Sequence, residues 1–309
     1  MYKVFISTSS FAEYDRTPLD ILESSGILYQ LNPQGRKLQF DECVKLYKGI
    51  DGLIAGTEML TYEILKNAGK LKVISRCGTG LDNVDLQAAR NLGIKVFNTP
   101  DIPTQAVAEL TLGLILNLLR LICREDMLVK TGRWEKHMGG LLRGKTLGVL
   151  GMGRIGKKVV ELSSTFEMKY LAWDISPDLD FASRYKVAFA ELGEVLAGSD
   201  ILTIHLPYLP GLKNIIGSDQ LRLMKKEAYL VNAARGGLVD EDALAEALRE
   251  KQIAGAAVDV FENEPYSGPL TGLENAILTP HIGSYTRETR IDMEVQAVQN
   301  LLRGLKEYT

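Results

Sequence analysis

Three side chains of this 309-residue chain follow apolar runs and are of the types that proton transfer and anion recognition require: Arg235, Glu264 and His281. Arg235 comes after Ala228–Asn232, Glu264 after Gly255–Val260 and His281 after Ala276–Thr279. A planar guanidinium can grip a carboxylate and a neighbouring carbonyl with a forked geometry that lysine cannot reproduce. An imidazole, ordinarily titrating near about 6.5, can give and retrieve a proton around neutrality, and a carboxylate beside it orients the ring and favours its charged form. Reversible hydride transfer to a 2-keto acid asks for this set: a cation for the acid group, and a proton for the oxygen of the reduced carbonyl. The competing readings are a satisfied core histidine at His281, a surface salt bridge at Arg235 and a turn residue before Pro265 at Glu264. The chain has only 3 histidines. His137, in the polar run Glu135–Gly139, reads as a solvated surface residue. His205 precedes Leu206 and Pro207 and reads as a backbone contact to a cofactor, so His281 remains as the proton carrier.

These residues need a scaffold that brings strand ends together, and the middle of the chain announces one. Thr146–Leu150 is a strand-like run that leads into Gly151-Met152-Gly153-Arg154-Ile155-Gly156, and helical spacing follows from Lys157. G-x-G-x-x-G alone is weak evidence. With a strand before it, a helix after it and an acidic residue, Asp174, at the end of the next strand, it becomes a dinucleotide fingerprint. Gly151 allows the tight turn, Gly153 lets a pyrophosphate approach, and Gly156 lets the helix pack closely, while the amides of Arg154 and Ile155 face the phosphates. Asp174 would accept from the ribose hydroxyls, which favours NAD over NADP because a carboxylate repels a 2′-phosphate. In an open parallel sheet the strand ends lie along one edge, so Arg235, Glu264 and His281 should converge on the nucleotide.

The first 100 residues alternate strand-like segments (4–7, 27–31, 52–55, 71–76 and 94–98) with helical ones, a rhythm that implies a second open parallel sheet. The fourth of these strands runs into Arg76-Cys77-Gly78-Thr79-Gly80, a loop whose free amides could hold a small carboxylate; a plain tight turn is the competing reading. Residues 104 to about 130 read as one long helix, apolar nearly all round at its centre and therefore buried. Composition excludes several classes. Net charge is −3 with 46% hydrophobic residues, so nothing suggests a nucleic acid or a membrane as partner. The N-terminal apolar run is too short for a signal peptide, and three cysteines without C-x-x-C spacing suit a reducing cytoplasm and no zinc site.

Taken in order, the runs Arg76–Asp85, Gly144–Gly156, Val231–Asp240, Asp259–Pro265 and Thr279–Ser284 resemble the signatures of the D-isomer-specific 2-hydroxy acid dehydrogenases, particularly the phosphoglycerate dehydrogenase-like branch. The resemblance implies an α/β architecture of two doubly wound parallel-sheet domains. A flavodoxin-like substrate domain (1–99 with 284–309) would carry an inserted Rossmann nucleotide domain (100–283). It implies Arg235, Glu264 and His281 as the catalytic residues. NAD contacts would come from Thr79, Gly151, Gly153, Arg154, Ile155, Gly156, Asp174, His205, Leu206, Pro207, Ala233, Ala234, Asp259, Gly283 and Ser284. Substrate contacts would come from Arg76, Cys77, Gly78, Thr79, Gly80 and Arg235. It further implies a cytoplasmic homodimer acting on a D-2-hydroxy acid or its 2-keto acid, 3-phosphoglycerate among the candidates, with long helices near 104–125 and 286–302 as hinges. Gly56 stands where some phosphoglycerate-oxidising relatives carry a phosphate-binding arginine, which brings glyoxylate- or hydroxypyruvate-type reduction in as the alternative. A rival of another class is an NADH-sensing binding protein similar to the corepressors that keep this fold.

Overall fold

The computed structural model describes residues 1–308, which form two compact units: Met1–Pro103 with Tyr285–Thr309, and Thr104–Ser284. The chain leaves the first unit once and returns to it once. Each unit holds its own parallel sheet.

In the first unit β1 (Lys3–Ile6), β2 (Leu28–Leu31), β3 (Gly52–Ala55), β4 (Val73–Arg76) and β5 (Lys95–Phe97) are ordered β2-β1-β3-β4-β5. All of their pairings are parallel. The middle strand β3 is buried at every position, as expected of a strand covered by helices on both faces. One face packs Phe5, Leu53 and Ile74 against Tyr47, Ile64 and Ala88, while the other packs Val4, Ile54 and Val73 against Val298 and Leu301 of the last helix, Arg287–Lys306. Side chains alternate between faces along a strand, so consecutive apolar residues are what two buried faces demand. The strand order reverses between β1 and β3, where successive crossovers leave toward opposite edges.

In the second unit β6 (Thr146–Leu150), β7 (Lys169–Trp173), β8 (Val187–Phe189), β9 (Ile201–Ile204), β10 (Tyr229–Asn232), β11 (Gly255–Val258) and β12 (Ala276–Leu278) are ordered β12-β11-β10-β9-β6-β7-β8, again parallel throughout. The last three chemistry-bearing strands are therefore neighbours at one end of the sheet. β8 has only three residues and no sequence expectation marked it. The helix Glu241–Arg249 is capped by Asp240, whose Oδ1 accepts from the Ala243 amide at 3.0 Å, and it buries Leu244 and Leu248 against β10 and β11. A cap of this kind is worth about 1 kcal/mol.

The long helix expected over 104–130 is two helices, Pro103–Arg120 and Ile122–Lys130, bent by 61°. Leu121 adopts a left-handed φ of 57°, which an uninterrupted helix does not allow. The Asn117 side chain secures the break, its Oδ1 accepting from the Cys123 amide at 2.9 Å. Ala108, Leu114, Ile115, Leu118 and Leu119 of the first helix pack against Leu147 and Val149 of β6, so this helix belongs to the core of the second unit. Among the described residues no single helix is long and apolar enough to cross a membrane.

Candidate active site

The glycine run lies where β6 meets the helix Arg154–Ser163. Gly151 has φ +94°, and a Cβ there would stand 2.8 Å from the His205 carbonyl carbon, so both conformation and space require glycine. A Cβ on Gly156 would collide with the Gly151 carbonyl oxygen, which lets Val159 and Val160 of this helix reach full burial. Beyond Gly153 nothing lies within 4 Å of a Cβ position, leaving room at the helix start for a phosphate. The first amide bonded back to the Gly153 carbonyl is that of Lys157, at 3.0 Å, so the amides before it point out of the helix end. Asp174 stands at the end of β7. Its Oδ2 accepts from the Met152 amide at 2.6 Å and its Oδ1 from Ser176 at 2.8 Å, tying the glycine turn to the neighbouring strand. Free lone pairs on both oxygens can still accept ribose hydroxyls. These features fit a dinucleotide.

His205 lies beside the same turn, its amide donating to the Leu150 carbonyl at 2.7 Å. Its ring is more than a bystander to the backbone. Nε2 is 3.0 Å from Thr203 Oγ1, Nδ1 is enclosed without a partner, and burial pushes the pKa down to about 3. His205 is therefore a neutral imidazole at physiological pH. Leu206 is buried and Pro207 exposed in the loop that follows.

Beyond β10, Asn232 organises the turn: its side-chain amide donates to the Arg235 carbonyl at 3.0 Å and its Oδ1 accepts from Ala234 at 3.1 Å. Ala233 and Ala234 are buried within this turn. The guanidinium of Arg235 donates to the Ala234 carbonyl at 2.7 Å. Gly236 lies so close to the Phe261 carbonyl that a Cβ would overlap it, and this packs the loop after β10 on the loop after β11. In that second loop Glu264 Oε1 accepts from the Phe261 amide at 3.1 Å, and both Glu264 oxygens lie 3.0 Å from His281 Nδ1. The imidazole and the carboxylate are thus paired, with the His281 side chain 45% exposed, and Nε2 has no partner among the described residues.

His281 carries a left-handed φ of 55°, a conformation that costs a non-glycine residue about 1 kcal/mol. Asp259 holds it there. The His281 amide donates to the Asp259 carbonyl at 2.8 Å, and the fully buried Asp259 carboxylate accepts from Thr279 Oγ1 at 2.6 Å, Ile282 N at 2.8 Å and Gly283 N at 2.9 Å. Burial raises the pKa of Asp259, while those three donors act in the opposite sense. Sequence reasoning placed Asp259, Gly283 and Ser284 beside the cofactor and missed that Asp259 shapes the His281 loop. Its position one residue beyond β11, directly before the loop that carries Glu264, was the available signal.

The loop after β4 in the first unit departs from expectation. The Cys77 amide donates to Ala55 O at 2.9 Å, the Gly78 amide to the buried Thr99 Oγ1 at 2.8 Å, and the Cys77 side chain is buried with its thiol pushed up to about 11. Cys77 and Gly78 therefore have no free amide to offer a ligand, because the loop spends them on its own anchorage. Thr79 and Gly80 keep amides without a protein partner among the described residues. Arg76 turns back over Gly78, its Nη1 donating to the Cys77 carbonyl at 2.6 Å. His137 is likewise not a solvated residue: it is half-buried, with Nδ1 2.9 Å from Glu125 Oε1 and Nε2 3.3 Å from Arg124 Nη2.

A parallel sheet with a glycine turn at its centre and an imidazole–carboxylate pair at its edge defines a dinucleotide-dependent oxidoreductase domain. Residues 112–283 match the family model described as D-isomer specific 2-hydroxyacid dehydrogenase, NAD binding domain. A glyoxylate reductase of Aeropyrum pernix is 42% identical over 257 residues, covering 80% of this chain and 77% of the relative. A D-3-phosphoglycerate dehydrogenase of Methanocaldococcus jannaschii is 42% identical over 273 residues, 85% of this chain, which spans 52% of that longer protein. A solved structure of a Thermus thermophilus protein superposes with a TM-score of 0.91 at 36% identity, covering 99% of this chain and 97% of the other. The chain belongs to the D-isomer specific 2-hydroxyacid dehydrogenase family, and its second unit is the NAD-binding domain. Identity does not separate the branches, since the glyoxylate reductase and the phosphoglycerate dehydrogenase match equally well.

Proposed function

We propose that the protein interconverts a small 2-keto acid and its D-2-hydroxy acid with NAD, using Arg235, Glu264 and His281. The observation that carries this reading is the His281 ring, pinned through Nδ1 by both oxygens of Glu264 with Nε2 left for the substrate. When bound, the nicotinamide supplies the hydride for the carbonyl carbon, or accepts it in the reverse direction. His281 Nε2 gives the carbonyl oxygen its proton on reduction and retrieves it on oxidation. Glu264 keeps the ring in the orientation that presents Nε2 and compensates the positive charge of its protonated form. Arg235 holds the substrate carboxylate through its forked donors. The amides of Thr79 and Gly80 supply further donors to that carboxylate, with Arg76 and Thr99 shaping their loop.

The cofactor contacts follow the fold. Gly151, Gly153, Arg154, Ile155 and Gly156 take the pyrophosphate, and Asp174 takes the adenosine ribose. Main-chain groups of His205, Leu206, Ala233, Ala234, Gly283 and Ser284 lie at strand ends along the nicotinamide side. An initial-rate panel of glyoxylate, hydroxypyruvate and 3-phosphohydroxypyruvate with NADH and NADPH tests the reading. NADH-dependent turnover of at least one acid is expected, and tight NADH binding without turnover would favour the cofactor-sensing alternative.

A homodimer is part of the same proposal. Met127, Val129, Trp134, Met138 and Leu141 form an exposed apolar run in the second unit, with Trp134 83% and Met138 97% exposed. Such a run favours a protein partner over solvent, and light scattering should give twice the 34.1 kDa chain mass.

A further inference from the structure

The reversal of strand order in the first unit falls between β1 and β3, and in open α/β sheets ligands bind beyond the carboxyl ends of the strands at such a point. The residues following these two strands are Ser7, Thr8, Gly56 and Glu58. Glu58 is 2% exposed, yet among the described residues no lysine, arginine or histidine is hydrogen-bonded or ion-paired to it. Its Oε1 accepts from Ser7 Oγ at 2.5 Å and from the Tyr47 hydroxyl at 2.9 Å, and Ser7 Oγ in turn accepts from the Gly56 amide at 2.9 Å. Its Oε2 has no donor among the described residues. That oxygen lies beside Gly56, where a Cβ would stand 3.1 Å from it and 3.4 Å from Thr8 Cα. Thr8 Oγ1 is buried there without a partner. Among the described residues, the switch point is therefore lined by a carboxylate oxygen and a hydroxyl that both lack protein partners, with no cation paired to the carboxylate.

We propose that Glu58 selects the substrate by charge: the carboxyl edge of the first sheet admits 2-keto acids whose tail is a hydroxyl or a hydrogen and rejects those whose tail carries a phosphate or a second carboxylate. This inference rests on the 2-keto acid reading above and names its substrate class. A neutral hydroxyl tail can donate to Glu58 Oε2 and accept from Thr8 Oγ1, whereas a phosphate dianion meets like charge and finds no cation hydrogen-bonded to that carboxylate. The surroundings agree with a negative Glu58. Burial, and then the charge of Glu58, hold the Tyr47 hydroxyl well above the ordinary tyrosine range, so Tyr47 stays a neutral donor to Oε1.

The test compares kcat/KM for hydroxypyruvate and for 3-phosphohydroxypyruvate in the parent enzyme, in Glu58→Gln and in Tyr47→Phe. Glutamine keeps an acceptor oxygen for Ser7 and Tyr47 and removes the charge, while Tyr47→Phe removes one hydrogen bond and leaves the charge. The parent should prefer the unphosphorylated acid. Glu58→Gln should reduce that preference by roughly tenfold or more, as expected for removing a like charge from a poorly screened site, and Tyr47→Phe should leave it in place. A preference unchanged in a Glu58→Gln enzyme of parental thermal stability would overturn the proposal, as would a Tyr47→Phe enzyme that shifts it equally. Product inhibition of the parent by D-glycerate and D-3-phosphoglycerate decides the matter without any variant: tighter binding of the phosphorylated acid refutes the selection. If the parent turns over neither keto acid, the 2-keto acid reading itself fails and this inference fails with it; turnover without the predicted preference removes the inference alone.

Discussion

The two sheets present carboxyl edges of opposite design. At the edge of the second, adjacent strands β10, β11 and β12 each deliver a functional side chain, and the side chains are held by other side chains: His281 by Glu264, and the loop beneath by Asp259. At the edge of the first, the elements available to a ligand are main-chain amides of Thr79 and Gly80, buried hydroxyls and the Glu58 carboxylate. Groups that move protons must titrate and keep a fixed orientation, so they need partners that are themselves fixed. Groups that only recognise shape and charge can be supplied by backbone and by a field. The comparison assigns chemistry to the second unit and selection to the first, and it predicts that substitutions in the two edges fail in different kinetic constants.

The largest effect should come from His281→Ala. It is expected to lower kcat by roughly 10²–10⁴-fold, the range for losing a general acid, with NADH affinity by fluorescence titration near the parental value; an H281A rate close to parental would end the assignment of chemistry to this edge. Next is Arg235→Lys, which keeps the charge and loses the fork. A fall in kcat/KM of about a hundredfold is expected, as for a lost bidentate carboxylate contact, and a lysine enzyme of parental efficiency would show that the fork is not used. On the other edge, Thr99→Ala removes the acceptor of the Gly78 amide. It should raise KM for the keto acid about five- to tenfold, in line with a net hydrogen bond of about 1 kcal/mol, and leave kcat nearly unchanged; a kcat defect instead would erase the division between edges.

The smallest consequence is one of stability, and it too separates the units. Folded His205 is held neutral down to about pH 3 by burial, whereas the unfolded chain takes up that proton near its ordinary value of about 6.5. Between those values the unfolded state binds more protons, so stability is lost as pH falls from about 6.5 toward 3, by up to about 5 kcal/mol for a shift of this size. Both tryptophans, Trp134 and Trp173, lie in the second unit, so denaturant unfolding followed by tryptophan fluorescence reads that unit selectively. The protein without cofactor should show a falling midpoint across this window, and His205→Asn should flatten the fall. An equal slope in the variant would assign the acid sensitivity to other groups.

Local chemistry accounts for what was readable in advance. Gly151, Gly153 and Gly156 between a strand and a helix, with Asp174 at the next strand end, are tied to neighbours in sequence, so the turn and its dinucleotide chemistry follow from short-range geometry. The parallel sheets were equally readable, because strands buried on both faces must be apolar at consecutive positions and helices between them must alternate. The bend at Leu121 was not, since it depends on one left-handed residue and on Asn117 reaching across it, and helical periodicity continues on both sides. The edge strand β8 was also missed, three residues being too few to show a period.

By itself, then, the sequence determined the class of chemistry: which residues could carry a hydride acceptor, a proton and an anion, and that strand ends would gather them. Only the tertiary structure decided how those residues are held. That Asp259 stabilises the left-handed His281, that the Gly78 amide is taken by Thr99, 21 positions away, and that Glu58 shares a buried oxygen with Ser7 and Tyr47 all depend on contacts between distant segments. Residue type and spacing are set along the chain, whereas the partner of a polar group is set by which strand ends become neighbours in the folded sheet, and that order is written in no local pattern.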